Sequence, residues 1–275
     1  MTKTWFITGS SRGLGRAFAE AALGRGDSVA ATARNPDALK ALVRDYGESV
    51  LPLALDVTDR AAVTAAVDRA KFHFGHIDVV VNNAGYGLLG AVEELTERDL
   101  RDQMETNFFG AVWVAQAALP HLRGQDGGHL IQFSSAAGVV GMALGGGYAA
   151  SKWALEGLSE TLAQEVAGFG VKVTVVEPGG YRTEGAAGAV HAEVHPAYAK
   201  LRAGFAAHAA ELDLGDPAAA GAALLALADA EEPPLRVFFG VQGLPMVEPV
   251  YTERLKTWRD WQGLSTAAHG TPEAA

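Results

Sequence analysis

The amino-acid sequence predicts a three-layer α/β protein, in which one parallel sheet lies between two layers of helices. Short apolar runs alternate with longer stretches of helical periodicity along most of the 275 residues. These runs have no polar side, which is typical of parallel strands that helices cover on both faces. Hydrophobic residues make up 49% of the chain, enough for a large core at this length. We therefore expect a doubly wound, Rossmann-like fold that forms a single domain.

Four strands and the helices between them are predicted in the first part of the chain. The strands are expected at residues 5–8, 28–33, 50–55 and 77–81. A helix at 14–23 follows the first strand, and Asn35-Pro36 begins another, because proline suits the first helical position. Thr58-Asp59 caps a third helix, which Gly75 ends.

The second part of the chain is less regular. Thr96 caps a long helix that is predicted to end before Pro120, since proline breaks the helical hydrogen-bond pattern. The remaining strands are expected at 129–133, 171–176 and 235–239, and the remaining helices at 148–167, 196–212, 217–229 and 247–261. We predict one domain over 1–262, with 179–215 as an insertion or lid over the upper edge of the sheet and 263–275 as a flexible tail.

Charge and residue counts exclude several classes of protein. Lys and Arg number 22 and Asp and Glu number 32, so the net charge of −10 opposes binding to nucleic acid. The chain has no cysteine, which excludes disulfides, thiolate catalysis and cysteine metal sites. His191 and His195 lack the His-Glu-x-x-His order, so no metal site is predicted.

The expected location is the cytoplasm, without a membrane partner. No apolar run reaches the roughly 18 residues that span a bilayer. Cleavage of an export leader of about 15–30 residues would remove a glycine-rich motif that begins at Gly9.

This glycine-rich turn lies between the first predicted strand and the first helix. Glycine permits a tight turn, and the amides at the start of the helix can bind a pyrophosphate. The spacing is GxxxGxG instead of the GxGxxG dinucleotide fingerprint, so an ordinary glycine turn is the alternative interpretation. The position between strand and helix favours a cofactor site. Its predicted members are Gly9, Ser11, Arg12, Gly13, Leu14 and Gly15.

The end of the second strand predicts which dinucleotide binds. NAD sites place Asp or Glu about 20 residues beyond the glycines, where it binds the ribose 2′-hydroxyl. This chain has Ala33 and Arg34 there and no carboxylate. Guanidinium groups bind phosphate well, so Arg34 and Arg12 favour a 2′-phosphate, with two solvated surface arginines as the alternative. We predict a preference for NADP(H) over NAD(H).

Two further motifs follow predicted strands. Asp56-Val57 comes after the third strand, and Asn82-Asn83-Ala84-Gly85 comes after the fourth. Ligands of open α/β sheets bind at the carboxyl ends of the strands, so we expect Asp56, Val57, Asn83, Ala84 and Gly85 to contact the cofactor. Each motif taken singly is also compatible with a turn or a helix cap.

A candidate catalytic group is formed by Tyr148 and Lys152, which are four residues apart and share one face of a predicted helix. A phenol with a reference pKa of about 10 is a poor acid–base group at neutral pH unless an ammonium group favours its anion. Lys152 is placed to supply that charge. Ser135 ends the fifth strand, where its hydroxyl can orient a carbonyl oxygen, with Ser134 as the alternative. These groups suit proton transfer to a carbonyl that receives a hydride.

Together the motifs occur in the order found in the short-chain dehydrogenase/reductase family, which the chain resembles over about residues 3–183. The matching residues are Thr8-Gly9-x-x-x-Gly13-x-Gly15, Asp56, Asn82-Asn83-Ala84-Gly85, Asn107, Ser135, Tyr148-x-x-x-Lys152 and Pro178-Gly179-x-x-x-Thr183. The resemblance implies that Tyr148 is the general acid/base. It also implies that Lys152 lowers the pKa of Tyr148 and binds the nicotinamide ribose.

Other roles are implied by the same resemblance. Ser135 would orient the substrate, and Asn107 would kink its helix and hold a water in the proton relay. The segment that flanks the nicotinamide would contain Pro178, Gly179 and Thr183. All four catalytic residues are present, which implies an active enzyme. Family members often form dimers or tetramers, so a homodimer or homotetramer is expected.

Substrate contacts are expected near Ser135 and after Pro178, as the resemblance implies. The candidates are mostly apolar: Leu88, Leu89, Met142, Leu144, Tyr181, Tyr198 and Phe205. They favour a hydrophobic ketone, aldehyde or secondary alcohol, with core packing of the 179–215 segment as the alternative. The glycines at 145–147 are interpreted as a flexible turn into the next helix, in preference to a pliable pocket wall.

The leading hypothesis is an NADP(H)-dependent reductase or dehydrogenase that acts on a carbonyl or secondary alcohol. The alternative is a non-catalytic NADP(H)-binding sensor or scaffold, which a damaged set of catalytic residues would have favoured. A sugar-nucleotide epimerase or dehydratase is a third hypothesis. The region after residue 183 leaves little room for the nucleotide-sugar domain that it would need.

Overall fold

Seven parallel strands form the central sheet of the computed structural model, which describes residues 2–183 and 188–270. These strands are β1 (Thr4–Ile7), β2 (Ser28–Ala33), β3 (Val50–Ala54), β4 (Val79–Asn82), β6 (Gly128–Phe133), β7 (Val171–Pro178) and β9 (Arg236–Phe239). Their spatial order is β3-β2-β1-β4-β6-β7-β9. A separate parallel pair is formed by β5 (Leu88–Leu89) and β8 (Val190–His191). The predicted doubly wound, Rossmann-like sheet is confirmed.

Helices connect the strands and cover both faces of the sheet. They are α1 (Gly13–Gly24), α2 (Lys40–Tyr46), α3 (Arg60–Phe74), α4 (Glu97–Met104), α5 (Gly110–Gly124), α6 (Gly146–Val166), α7 (Ala199–Glu211), α8 (Pro217–Asp229), α9 (Gly243–Asp260) and α10 (Gln262–His269). Within 2–183 and 188–270, none of these helices combines the length and the apolar character needed to cross a membrane.

Two hydrophobic clusters hold the layers together, one on each face of the sheet. The first joins the sheet to α1, α2 and α8, and the second joins it to α3, α5 and α6. In β1, Trp5 and Ile7 pack in the first cluster whereas Phe6 packs in the second, and all three are fully buried. Successive side chains of a strand point to opposite faces, so a strand apolar at every position must be covered on both sides.

The strand order reverses direction at β1 and β4, which pair with each other in the middle of the sheet. The connections from β1 and β4 therefore lead to opposite sides and leave a crevice between them. Ligands of doubly wound sheets bind in such a crevice, outside the carboxyl ends of the strands. The glycine-rich turn follows β1 and the Asn82–Gly85 motif follows β4, so both motifs lie at the crevice.

The helix that was predicted to end before Pro120 differs from that prediction in two ways. It is interrupted by a π-helical turn at Glu105–Phe109, and its second part, α5, continues through Pro120 to Gly124. The predicted end is therefore wrong. Proline removes one helical hydrogen bond, but the last turn buries Leu122 completely in the second cluster. Burial of a leucine side chain contributes roughly 1.5–3 kcal/mol, which offsets that loss.

Helix α6 begins earlier than predicted, so Gly146 and Gly147 are helical and do not form a flexible turn. A Cβ atom at Gly147 would lie 2.9 Å from Cδ2 of Leu88 and 3.1 Å from Cδ2 of Leu100. Glycine is therefore needed there for close packing, which sequence periodicity does not reveal. The expected flexible tail also differs in structure, because α10 is helical with exposed side chains, while residues 271–275 lie outside the described part.

Buried His129 makes the stability of the fold depend on pH. The side chain lies on β6, is 4% exposed, and shares a 2.9 Å hydrogen bond between its Nε2 and Oγ1 of Thr174. Burial, with a smaller effect from the charges of Lys172 and Lys3, lowers the pKa of His129 from 6.5 to about 4. Below pH 6.5 the unfolded chain therefore binds a proton that the folded protein does not bind until about pH 4. Stability is lost as the pH falls through this window.

We expect the substitution His129→Gln to remove this pH dependence. From pH 7.5 to pH 5, the wild-type protein should lose about 2 kcal/mol more of its free energy of unfolding than the variant does. Urea unfolding of both proteins at the two pH values measures the difference, and carboxylates that titrate in both proteins cancel. Equal losses in the two proteins would contradict the role given to His129.

Candidate active site

A cavity of about 720 Å³ opens at the carboxyl ends of the strands, where the strand order reverses. Nearly all of the predicted cofactor residues line it: Gly9, Ser11, Arg12, Gly13, Leu14, Arg34, Asp56, Val57, Asn83, Ala84, Gly85, Tyr148, Lys152, Pro178, Gly179 and Thr183. Tyr148 and Lys152 lie on α6, and the others lie at or after the carboxyl ends of β1, β2, β3, β4 and β7. Residues far apart in the chain are thus brought to one edge by the parallel arrangement.

The glycine-rich turn is held in a conformation that only glycine adopts easily. Gly9 and Gly13 have φ angles of 70° and 58°, in the left-handed region. Gly15 does not line the cavity but packs beneath the turn. A Cβ at Gly15 would overlap the carbonyl oxygen of Gly9 and Nδ2 of Asn83. Because Gly15 has no side chain, the glycine-rich turn can pack closely against the loop after β4.

Asn83 ties this turn to the loop that follows β4. Its Nδ2 donates to the carbonyl oxygens of Thr8 and Gly9, at 3.0 and 3.3 Å. In return, Oγ1 of Thr8 accepts hydrogen bonds of 2.9 Å from the amides of Asn83 and Ala84. Because each loop satisfies polar groups of the other, the two loops form one rigid wall of the cavity.

The start of helix α1 has the properties of an anion site. Arg12 occupies the N-cap position without a side-chain hydrogen bond to the first amides, and the first turn carries no acidic residue. The amides at this end of the helix, with the positive end of its dipole, favour a phosphate in the cavity. Arg12 and Arg34 both line the cavity, and β2 ends at Ala33 without a carboxylate. These residues fit a dinucleotide.

Tyr148 lies on the first turn of α6, where it is half-buried and lines the cavity. Burial raises the pKa of Tyr148, and the nearby hydroxyl of Ser135 acts in the opposite direction. Ser135 is not a lining residue. Its Oγ also accepts the amide hydrogen of Ala137 at 3.1 Å, and this bond fixes its position. Ser134, the alternative serine, lines the cavity, and its hydroxyl faces Glu156.

Lys152 lies one helical turn beyond Tyr148 and is 5% exposed. Its Nζ donates to the carbonyl oxygen of Phe133 at 2.8 Å and lies 5.8 Å from the centre of the Tyr148 ring. Burial lowers the pKa of Lys152 to about 8, and the charge of Glu156 opposes this effect. The ammonium group and the Tyr148 ring therefore face the same cavity from one side of α6.

Asn107 is buried in the π-helical turn between α4 and α5. Its Nδ2 donates to the carbonyl oxygen of Tyr86 and to Oγ of Ser151, at 3.0 and 3.1 Å. Its Oδ1 accepts the amide hydrogen of Tyr86 at 3.1 Å. Asn107 thus fixes the loop after β4 against α6. It does not line the cavity.

The end of the cavity away from the glycine-rich turn is lined mainly by apolar side chains. Of the predicted substrate residues, Leu88, Leu89, Met142 and Tyr181 line it. Leu144, Tyr198 and Phe205 do not. Leu144 is buried, and its carbonyl oxygen accepts the amide hydrogen of Gly90 at 2.8 Å. Tyr198 donates from its hydroxyl to Oε2 of Glu93 at 2.5 Å, and Phe205 is half-buried on α7.

The segment at 188–211 is fastened to the body of the protein by the buried carboxylate of Glu94. This group accepts hydrogen bonds of 2.7 Å from the amides of Ala91 and His195, and it also pairs with the guanidinium of Arg202. The pairing of β5 with β8 places Val190 opposite Leu88, and both residues line the cavity. A lone strand of two residues carries no periodicity, so the sequence did not reveal this wall.

Tyr86 also lines the cavity, although it is not among the site residues predicted from the sequence. Burial is the main cause that raises its pKa above 10. Its place directly after the Asn82–Gly85 motif was the available signal. The next residue, Gly87, lines the cavity as well, so the whole loop after β4 forms this side of the site.

The site as a whole defines a class of protein. It combines a glycine-rich turn at a helix start, a cavity at the strand reversal, and a tyrosine beside a buried lysine. This is the arrangement of an oxidoreductase that uses a nicotinamide dinucleotide. The tyrosine can exchange a proton with a bound oxygen atom, the lysine can stabilise the resulting anion, and the apolar end can hold an organic substrate.

Comparison with known proteins gives the family. Residues 3–194 match the family model described as short chain dehydrogenase, and the chain belongs to this family. It is 43% identical to Oxidoreductase BOA17 from Botryotinia fuckeliana over 273 residues, which are 98% of this chain and 100% of that one.

Solved structures agree with this assignment. A short-chain dehydrogenase from Streptomyces avermitilis is 39% identical, with a TM-score of 0.91 over 97% of this chain and 98% of that one. An alcohol dehydrogenase from Thermococcus sibiricus, complexed with 5-hydroxy-NADP, is 26% identical. Its TM-score is 0.74 over 88% of this chain and 98% of that one. The protein is therefore an oxidoreductase of the short-chain dehydrogenase family.

Proposed function

We propose that the protein is an NADP(H)-dependent oxidoreductase that transfers a hydride between the nicotinamide and a carbonyl or secondary alcohol of a hydrophobic small molecule. The observation that carries the proposal is the position of Tyr148. Its ring lies 5.8 Å from Nζ of Lys152, in one cavity that has an anion site at one end and apolar side chains at the other. Such an arrangement places a proton donor between a cofactor and an organic substrate.

The dinucleotide would be held by the turn after β1, the loop after β4 and the segment that begins at Pro178. When bound, the nicotinamide supplies the hydride to a carbonyl carbon or accepts it from an alcohol. Tyr148 gives its phenolic proton to the carbonyl oxygen in the reductive direction and takes it back in the oxidative direction. Because burial raises the pKa of Tyr148, its phenol is protonated at neutral pH and ready to donate.

Lys152 and Ser135 assist this proton transfer. The Lys152 ammonium favours the phenolate that Tyr148 becomes after donation, and the Phe133 carbonyl holds that ammonium in place. Ser135 contributes a hydroxyl near Tyr148 and would orient the carbonyl oxygen, as the family resemblance implies. Asn107 acts at a distance, since it fixes the Tyr86 loop that forms the opposite wall.

The choice of NADP(H) is supported by Arg12 and Arg34 in the cavity and by the NADP derivative in the structure of the Thermococcus relative. We expect Arg34→Ala to reduce the affinity for NADPH by about 10- to 100-fold, because it removes a charged hydrogen-bond donor from the 2′-phosphate. The affinity for NADH, which lacks this phosphate, should change little. Titration of NADPH and NADH fluorescence with each protein measures both affinities.

Arg44 provides the matched control for this prediction. It lies on α2, is exposed and pairs with Asp45. Arg44→Ala changes the net charge by the same amount as Arg34→Ala but should leave both affinities unchanged. If the wild-type protein binds NADH more tightly than NADPH, or if Arg34→Ala weakens both equally, the assignment of NADP(H) is wrong.

The proposal that the substrate is hydrophobic is supported by Leu88, Leu89, Met142, Tyr181 and Val190 around the apolar end of the cavity. A panel of ketones and aldehydes, graded by size and polarity, tests it through NADPH consumption. We expect apolar carbonyls to be reduced faster than sugar phosphates. If only charged sugars react, the substrate class is wrong. If NADPH binds and nothing in the panel reacts, the result favours a dinucleotide-binding sensor instead.

We further propose that the protein acts in the cytoplasm, and that it forms a homodimer or homotetramer, as the family resemblance implies. Trp258 and Trp261 are 65% and 61% exposed, so apolar surface is available for association near the end of α9. Light scattering in solution gives the number of subunits directly.

A further inference from the structure

A buried group of charged side chains lies next to Lys152 but outside the cavity. This charged cluster consists of Glu156 on α6, Glu177 on β7 and Arg236 on β9. The side chains of Glu156 and Glu177 are 6% and 3% exposed, and that of Arg236 is 33% exposed. Burial of a carboxylate costs free energy unless a partner stabilises its charge. None of the three has a role in the proposed mechanism.

Glu156 shares the buried face of α6 with Lys152, one helical turn away. The two side chains meet at Gly138. A Cβ atom at Gly138 would lie 3.2 Å from both Cγ of Glu156 and Cβ of Lys152, and it would overlap Oγ of Ser134. The charge of Glu156 favours the ammonium form of Lys152. Because both groups are buried, solvent screens this interaction only weakly.

Arg236 holds the carboxylate of Glu156 from the neighbouring strand. Its Nε donates to Oε2 of Glu156 at 3.1 Å, and one terminal nitrogen donates to Oε2 of Glu160 at 2.6 Å. Glu177 is further away, with Oε1 at 3.7 Å from Nε of Arg236. Burial and the charge of Glu156 raise the pKa of Glu177 to about 7. Burial raises the pKa of Glu156 as well, and there the Ser134 hydroxyl, Arg236 and Lys152 act in the opposite direction.

Other polar groups face Lys152 from the elements packed around it. The Phe133 carbonyl at the end of β6 accepts from Nζ, and the Tyr148 ring lies on the preceding turn of α6. On the side of the loop after β4, a Cβ at Gly85 would lie 3.6 Å from Nζ of Lys152 and 3.0 Å from Oδ1 of Asn107. These neighbours are uncharged at neutral pH. Glu156 is the carboxylate whose charge acts on Lys152.

We propose that Glu156 is a positioning residue of this site, whose carboxylate, anchored by Arg236, stabilises the charged form of Lys152 beside Tyr148. Glu156 does not line the cavity, so it acts on the site through Lys152. The consequence for turnover rests on the proposed function. The effect on Lys152 itself exists without cofactor or substrate and can be measured separately.

The test is the titration of Lys152 in the wild-type protein and in Glu156→Gln. Isotope-labelled lysine gives a Cε resonance for Lys152 in nuclear magnetic resonance spectra, assigned by its loss in Lys152→Met. Glutamine retains the shape and removes the charge. We expect the pKa of Lys152 to fall by about one pH unit in Glu156→Gln. An unchanged pKa in a folded variant would overturn the proposal.

Glu160→Gln is the matched control. Glu160 lies on the same helix and also binds Arg236, but its side chain is 54% exposed and one turn further from Lys152. A purely structural role of the ion pairs would make both substitutions act alike. We expect Glu160→Gln to leave the pKa of Lys152 unchanged. A shift as large as that in Glu156→Gln would show that the carboxylate of Glu156 has no special role.

The wild-type protein gives the answer if Glu156→Gln does not fold. With labelled glutamate, the Cδ resonance of Glu156 reports its own titration. Because the two groups interact, the Lys152 Cε resonance should show a second inflection at the pH where Glu156 titrates. Absence of that inflection overturns the proposal.

Kinetics separate this proposal from the proposed function. For an active substrate, the alkaline limb of the pH profile of kcat/KM should move to lower pH in Glu156→Gln by the same amount as the pKa of Lys152. If turnover depends on Tyr148 but the pKa of Lys152 does not move, the role of Glu156 fails alone. If the pKa moves but no carbonyl reacts, the proposed function fails and the coupling of Glu156 to Lys152 stands.

Discussion

Tyr148→Phe is expected to reduce turnover by a factor of about 10² or more while cofactor binding is nearly retained. The substitution removes the oxygen that exchanges the proton and keeps the ring that packs at the start of α6. The expected change is in kcat, because the dinucleotide would be held mainly by the turn after β1 and the loop after β4. Turnover with a reactive carbonyl, together with NADPH fluorescence titration, measures the two effects.

The control for this prediction is Tyr46→Phe. Tyr46 ends α2 and packs against the first hydrophobic cluster, outside the cavity. The same loss of a phenolic oxygen should leave turnover unchanged there. Near-normal turnover of Tyr148→Phe would show that another group transfers the proton. Equal losses of turnover and of NADPH binding would instead show that the hydroxyl holds the cavity in shape.

Gly15→Ala is expected to have the largest effect on stability and to abolish cofactor binding. The added methyl group would overlap the carbonyl oxygen of Gly9 and lie 3.0 Å from its carbonyl carbon. Backbone atoms cannot rotate away, so the glycine-rich turn must move. It would also push against Nδ2 of Asn83, which ties the turn to the loop after β4. Overpacking of this kind costs about 1–3 kcal/mol, and the displaced turn can no longer bind a pyrophosphate.

Gly24→Ala is the matched control in the same helix. Gly24 is the last residue of α1, and a Cβ there would meet no atom within 4 Å. Alanine is a better helix former than glycine by about 1 kcal/mol, so this variant should be as stable as the wild type or slightly more stable. Urea unfolding and NADPH titration compare the three proteins. Normal NADPH binding by Gly15→Ala would show that the turn tolerates displacement.

The doubly wound parallel sheet and many of the residues that line the cavity could be predicted from the sequence, for physical reasons. A strand such as β1, apolar at every position, can only be buried between two layers, which fixes the architecture. In a parallel sheet all carboxyl ends lie at one edge, so motifs that follow strands must converge. Tyr148 and Lys152 could be placed together from helical geometry alone, because residues four apart share one face of a helix.

The parts that could not be predicted depend on contacts between distant segments. Position 147 in α6 requires glycine because Leu88 and Leu100 leave no room for a side chain, and Pro120 is tolerated because Leu122 is buried beyond it. The apolar wall required the pairing of β5 with β8, which no local pattern encodes. Arg236 was not recognised as a partner of Glu156, because 80 residues separate them in the chain.

The attachment of the 188–211 segment through Glu94 has a consequence for how such proteins can diversify. Tyr148 and Lys152 belong to α6, which packs on the sheet, whereas one wall of the apolar end belongs to a segment joined by a two-residue strand pair and by the Glu94 carboxylate. The reactive groups and this wall of the cavity thus belong to separate parts of the fold. Exchange of the segment, with Glu94 and its donors kept, would give a new specificity on an unaltered catalytic frame.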